Sequence, residues 1–175
     1  MSRILSLSAA LCLAASSTAM AEVKTAEPGG FKLVGSTTVA ASPQQLWSVL
    51  VHPDDWWSRS HRWFEGSRLT LDASPAGCWC ETHADGRGAR HMTTAMADPS
   101  KRLLLHGGLG PLSSLGVAGA LDFTLTPQED GTRLDWTYTV GGYAEGGLQA
   151  WAGPVDGVLT AQIARLKTEA EAEAR

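Results

Sequence analysis

The chain is poor in cysteine, carries no excess of positive charge and has a single long apolar run, and each scarcity removes a class of function. Its 14 Lys+Arg against 18 Asp+Glu give a formal net charge of −4, so no global field draws it to nucleic acid. The apolar run, Ile4 to Ala15, is shorter than the roughly 18 to 20 residues a spanning helix requires. The glycine-rich stretch from His106 to Gly116 has neither the lysine nor the strand-to-helix setting of a phosphate loop. There is no Gly-x-Ser-x-Gly elbow, no legible Ser-His-Asp order and no cofactor motif.

What is present begins with a leader. Arg3, the apolar run and Ala19-Met20-Ala21 ahead of Glu22 form a secretory signal peptide over residues 1–21. Leu11 stands where a lipoprotein needs a small residue before Cys12, so Cys12 is expected to leave with the leader. The mature protein is therefore expected to be secreted, into the periplasm, with no stable membrane anchor. Residues 22–30, polar and containing Gly and Pro, read as a flexible lead-in; 31–169 form one domain, and 170–175, helix-prone but without an apolar face, read as a frayed tail. Cys78 and Cys80 remain. An even pair in an exported protein invites a disulfide, but residues two apart on a strand lie roughly 6.6 Å apart, near the upper limit for a bridge. Two thiols are the expectation, and the bridge is the alternative.

Along the domain, Phe31 to Ala40 alternates as a strand and hands over to Ser42-Pro43-Gln44-Gln45. Ser42 suits a helix N-cap, Pro43 the first helical position, and Gln45 completes a capping box. The helix from Pro43 to about Val51 buries Leu46, Trp47, Val49 and Leu50. Asp54 can cap a second short helix, and Trp56, Trp57 and Trp63 then crowd into DDWWSRSHRWF. Three indoles so close cannot all enter one small core: either at least one lines a cavity or its mouth, or all wedge the helices against a sheet. From Ser67 the chain is a meander, with strands at Ser67 to Leu71, Gly77 to His83, Arg90 to Met96 and Arg102 to His106. Two clearer alternating strands follow, around Phe123 and Trp136. The glycine-rich stretch reads as a mobile loop between strands, with gating of a cavity as a further role. Last comes LQAWAGPVDGVLTAQIARL, where Leu148, Trp151, Val155, Val158, Leu159, Ile163 and Leu166 make one helical stripe opposite Gln149, Asp156, Gln162 and Arg165. Gly153-Pro154 predicts a kink there, or a short first segment.

This order, strand, two short helices, antiparallel strands and a long final helix, resembles the helix-grip fold of the START-like, Bet v 1-like (SRPBCC) superfamily, in its branch of heat-shock ATPase activator homologues and polyketide cyclase-like proteins. The likeness rests on Val39-Ala40-Ala41-Ser42-Pro43 leading to Leu46-Trp47, Gly77-Cys78-Trp79-Cys80-Glu81, Asp98-Pro99 before Arg102-Leu103, and Gly131-Thr132-Arg133-Leu134. It continues through Val140-Gly141-Gly142-Tyr143 and Val155-Asp156-Gly157-Val158-Leu159. It implies an α+β class: a curved antiparallel sheet wrapped around a long C-terminal helix, with two short helices after the first strand. It also implies a deep apolar cavity between sheet and helix that holds lipids, polyketides or other hydrophobic small molecules. The leader argues against an ATP-dependent cytosolic chaperone as partner.

For that cavity the residues offered are Trp56, Trp57, Trp63, Trp79, Met92, Tyr138 and Trp151, with Phe123 and Trp136 assigned to the core. A protein partner docking on Trp56, Trp57 and Trp63 is the competing use of the cluster. An enzymatic reading takes His83, His91 and His106 on successive strands, with Glu81 two residues from His83 and on the same side, as a general-base pair for cyclisation or hydrolysis. A metal reading takes Cys78, Cys80, His83 and His91, although that spacing matches no common zinc module. Arg59 and Arg62, flanking His61, offer a place for an anionic head group.

Overall fold

A computed structural model of the chain describes residues 20–175, so most of the expected leader lies outside the described residues. Among these described residues eight antiparallel strands form one sheet: β1 (Met20–Glu27), β2 (Gly30–Val39), β3 (Arg68–Leu71), β4 (Cys78–Thr82), β5 (Gly88–Asp98), β6 (Arg102–His106), β7 (Ala118–Gln128) and β8 (Gly131–Gly141). Their order is β1-β2-β8-β7-β6-β5-β4-β3, a meander closed on one side by the first hairpin. Between β2 and β3 come α1 (Pro43–Leu50), α2 (Pro53–Trp56) and a 3-10 turn at Arg59–His61; after β8 comes α3 (Ala152–Glu173). This is the helix-grip fold.

The local grammar held where it had a physical mechanism. Ser42 and Gln45 form the reciprocal capping box, satisfying two of the donors that a helix start leaves orphaned. Leu121, Phe123 and Leu125 on β7 and Leu134, Trp136 and Tyr138 on β8 turn to the inner face, where Leu159, Ile163 and Leu166 of α3 are buried with them in one core. Each such aliphatic side chain contributes roughly 1.5–3 kcal/mol of transfer free energy. Trp136 lies so close to β2 that a Cβ on Gly35 would overlap its indole, which is why a strand interior tolerates glycine there.

Three expectations are corrected. The lead-in is β1, paired with β2 from Met20↔Ser36 to Glu27↔Gly30; its Glu22-Val23-Lys24-Thr25 text is too polar to announce an edge strand, and only the partner reveals it. The tail is helical to Glu173, with Ala170 fully buried and Glu171 Oε1 accepting the Ala40 N–H at 3.0 Å. The two errors share a cause, because β1 and β2 together supply the wall on which α3 lies. Finally, Cys78 and Cys80 are joined in a disulfide with a Cα–Cα separation of 5.3 Å. That is shorter than the roughly 6.6 Å of two regular strand steps, and opposite the pair β5 carries an irregularity: Trp79 faces Met92 while Cys80 faces Arg90, leaving His91 as an extra residue.

At Gly153-Pro154 the second alternative holds. A 3-10 segment, Gln149–Trp151, precedes α3, whose first turn takes in the proline.

Candidate functional site

The stretch from Trp57 to Leu69 has little regular structure, so its polar groups need partners elsewhere, and three side chains supply many of them. Asp54, in the first turn of α2, accepts from Leu69 N–H at 2.8 Å and from Arg62 Nη1 at 2.7 Å. Gln162 of α3, fully buried, accepts the Ser58 N–H on Oε1 at 2.8 Å. Glu81 of β4, also fully buried, accepts from Trp63 N–H (3.0 Å), Phe64 N–H (2.8 Å) and Ser67 Oγ (2.6 Å). Gln162 thus belongs to the buried stripe of α3 rather than to its wet side.

Glu81 has a fourth partner, His91, whose Nε2 lies 3.0 Å from Oε2. The extra residue in β5 explains the meeting. A bulge lets two consecutive side chains, His91 and Met92, face inward, whereas regular alternation would send His91 outward. Burial pushes the Glu81 carboxyl up, but the donors from Ser67, Trp63, Phe64 and His91 outweigh it and hold the group below its ordinary range. Burial lowers His91, and the Glu81 hydrogen bond and charge offset that only in part. At neutral pH the pair is therefore a carboxylate and a neutral imidazole. Nε2–H is the donor to Glu81, which leaves Nδ1 as a lone-pair acceptor with no partner among the described residues.

Above His91 opens a cleft of about 330 Å³. One wall is the first two turns of α3 with the residue before it: Trp151, Pro154, Val155, Val158 and Leu159. The second is Leu109, Gly110 and Pro111 of the glycine-rich loop. The third is Trp57, Ser60, His61, Arg62 and Trp63. The loop, expected to be mobile, is pinned. Tyr138 Oη accepts the Leu109 N–H at 2.9 Å and donates to Gly107 O at 3.1 Å, and burial pushes that phenol up to about 12. Gly110-Pro111 then begin a 3-10 turn with Leu112 buried beneath.

The sequence-expected residues divide. Trp57, Trp63 and Trp151 line the cleft. Trp56, Trp79, Met92 and Tyr138 are at most 2% exposed and belong to the core; Trp57 meets Trp79 edge-on at 5.1 Å and Trp56 at 5.6 Å, so these indoles form the floor under the cleft. Glu81 pairs with His91, not with His83. β4 ends at Thr82, and the His83 ring turns to Asp85 at 2.7 Å in the following turn. His106 sits exposed at the end of β6 and lies outside the cleft. The metal constellation is not assembled, since both cysteines are bonded to each other, His91 faces inward and His83 is held in the turn. Arg62 is largely committed within the protein: its charge is paired with Asp54, Nη1 also donates to Ser67 O at 2.8 Å, and Nη2 to Asp54 O at 3.0 Å and Trp57 O at 3.3 Å, which leaves the buried Nε as its one donor without a partner among the described residues. Sequence reasoning missed Gln162 and the loop residues Leu109 and Pro111. Of these Gln162 alone had a signal, standing between Leu159, Ile163 and Leu166 on the buried stripe.

Comparison with known proteins agrees with this architecture. The profile of the family described as "Polyketide cyclase / dehydrase and lipid transport" matches residues 30–171. No curated protein sequence matches the chain. Among solved structures, an uncharacterised protein from Rhizobium leguminosarum superposes with a TM-score of 0.57 at 17% identity, covering 89% of this chain and 99% of that one. A Rhodobacter sphaeroides protein does so with 0.57 at 20%, covering 87% and 99%. The di-domain ARO/CYC StfQ of the steffimycin biosynthetic pathway gives 0.56 at 17%, covering 84% of this chain and 51% of that one. At these identities the likeness establishes the fold.

Proposed function

The chain belongs to the polyketide cyclase/dehydrase and lipid transport family, and from that premise we propose that it is an exported binding protein that holds an apolar small molecule in the cleft over His91. The observation that carries the proposal is the cleft's composition: three indoles, Leu109, two prolines and the Val155, Val158 and Leu159 face of α3, with Ser60, His61, Arg62 and His91 as its few polar groups. Small-molecule sites have this make-up, and 330 Å³ stands at the small end of their range of about 300–1,000 Å³. Export is supported by the leader pattern of residues 1–21 and by the Cys78–Cys80 bridge, which suits an oxidising compartment. Native mass spectrometry of protein purified from its own compartment tests both parts. The expected species begins at Glu22 and carries a discrete apolar mass released by organic solvent. A clean apo mass that ignores a hydrophobic library would overturn the binding reading, and an intact Met1 would overturn export.

The Glu81–His91 hydrogen bond favours a second reading, in which His91 Nδ1 removes a proton from a bound substrate in a cyclase- or hydrolase-like reaction. Glu81 would orient the ring and stabilise the imidazolium that forms. Once a ligand is identified, turnover that survives His91→Gln would exclude it.

A further inference from the structure

The polar side chains of the cleft specify more than apolar character. Gln162 fixes the ring of His61. The Ser58 N–H must be received by the amide oxygen of Gln162, so the amide nitrogen, 3.3 Å from His61 Nδ1, is a donor. Ser60 Oγ approaches the same ring nitrogen at 3.2 Å. With Nδ1 occupied as an acceptor, Nε2 carries the ring N–H and is a donor. His91 has the opposite assignment. Its Nε2–H is committed to Glu81, and Nδ1 offers a lone pair. Two imidazoles lining one cleft therefore present one donor and one acceptor. Among the described residues Arg62 is the only other ionisable side chain in the lining, and its two terminal nitrogens are spent on Asp54, Ser67 and Trp57.

We propose that the cleft selects an uncharged ligand whose apolar body carries a hydroxyl, with His61 Nε2–H donating to the hydroxyl oxygen and His91 Nδ1 accepting the hydroxyl proton. This rests on the binding reading above and adds the class of ligand. A hydroxyl both donates and accepts, so it matches the pair; a hydrocarbon seated over the two nitrogens displaces their water and partners neither. A carboxylate sets its charge against the His91 lone pair, and the Arg62 guanidinium in the lining is already paired with Asp54.

The test is isothermal titration calorimetry of the mature protein with four naphthalenes of similar shape, namely 2-naphthol, 2-methylnaphthalene, 2-methoxynaphthalene and 2-naphthoate. The expected order places 2-naphthol about tenfold or more tighter than 2-methylnaphthalene, from two net hydrogen bonds. The ether, which only accepts, falls between them, and the carboxylate falls below the naphthol. His61 is exposed on a surface turn, so His61→Phe is expected to fold. It should lower the preference for naphthol over methylnaphthalene about fivefold. Equal affinity of naphthol and methylnaphthalene, tightest binding of the naphthoate, or an unchanged preference in His61→Phe would overturn the hydroxyl assignment and leave the apolar cleft standing. Failure of all four to bind would overturn both.

Discussion

Glu81 accepts four hydrogen bonds on one buried carboxylate, and every donor is a group that would otherwise be stranded. Removing it in Glu81→Ala leaves Trp63 N–H, Phe64 N–H, Ser67 Oγ–H and His91 Nε2–H unpartnered, and should cost about 3–5 kcal/mol in a urea titration. A loss under about 1 kcal/mol would mean water replaces the carboxylate without penalty. The same pair sets a pH signature. His91 has a folded pKa below its ordinary 6.5 and Glu81 one below 4.5, so in both cases the unfolded chain binds more protons and stability falls with falling pH. The expected melting profile is flat from about pH 7 to 9, declines as the pH drops through 6.5 and declines again below 4.5. His91→Gln should remove the first decline, and its persistence would assign that step to another group. None of this was readable from sequence beyond the residue types. Spacing gave Glu81 the wrong histidine because strand alternation places His83 beside it, while the extra residue that turns His91 inward leaves no mark on a single sequence.

At the scale of elements, β1 and the end of α3 depend on one another, and each was misread when considered alone. Neither a polar edge strand nor a helix lacking a stripe carries a hydrophobic signature. The small Ala170 and the Glu171 contact to Ala40 become meaningful only once the strand is in place. Truncation after Glu169 should therefore cost about 1–2 kcal/mol rather than nothing, from one buried side chain and one net hydrogen bond; an unchanged midpoint would show the tail to be dispensable. The disulfide in β4 is the second element-scale device, lying on the opposite side of the strand from Trp79 and Glu81, across from the irregular step in β5. Closing so short a loop stabilises by about 1–2 kcal/mol in the chain-entropy model, and a Cys78→Ser/Cys80→Ser double variant should lose that amount in a urea titration. No loss would mean that β4 and the bulge are fixed by packing alone. By contrast α1, the alternating strands β7 and β8, and α3 as far as Leu166 were legible, because a capping box, a period of two and an apolar stripe are local patterns.

The whole molecule differs from a simple hollow grip. The space between sheet and helix is occupied by Trp79, Trp136, Tyr138, Phe31 and Phe123, each at most 2% exposed, and the opening is displaced to the end where α3 begins, under Trp63 and the pinned loop. The chain order and helix-grip class were readable from the succession of elements. The displacement was not, because it follows from how large indoles fill an interior rather than from any motif. It makes a sharp division among the 7 tryptophans, each of which gives its own indole N–H signal in a nitrogen–proton correlation spectrum. The most direct measurement follows those signals while 2-naphthol is titrated into the mature protein. The cleft predicts shifts concentrated at Trp57, Trp63 and Trp151, with Trp136 and Trp47 unmoved. The largest shift at Trp136, with Trp63 and Trp151 unaffected, would place the ligand between sheet and helix and contradict the account.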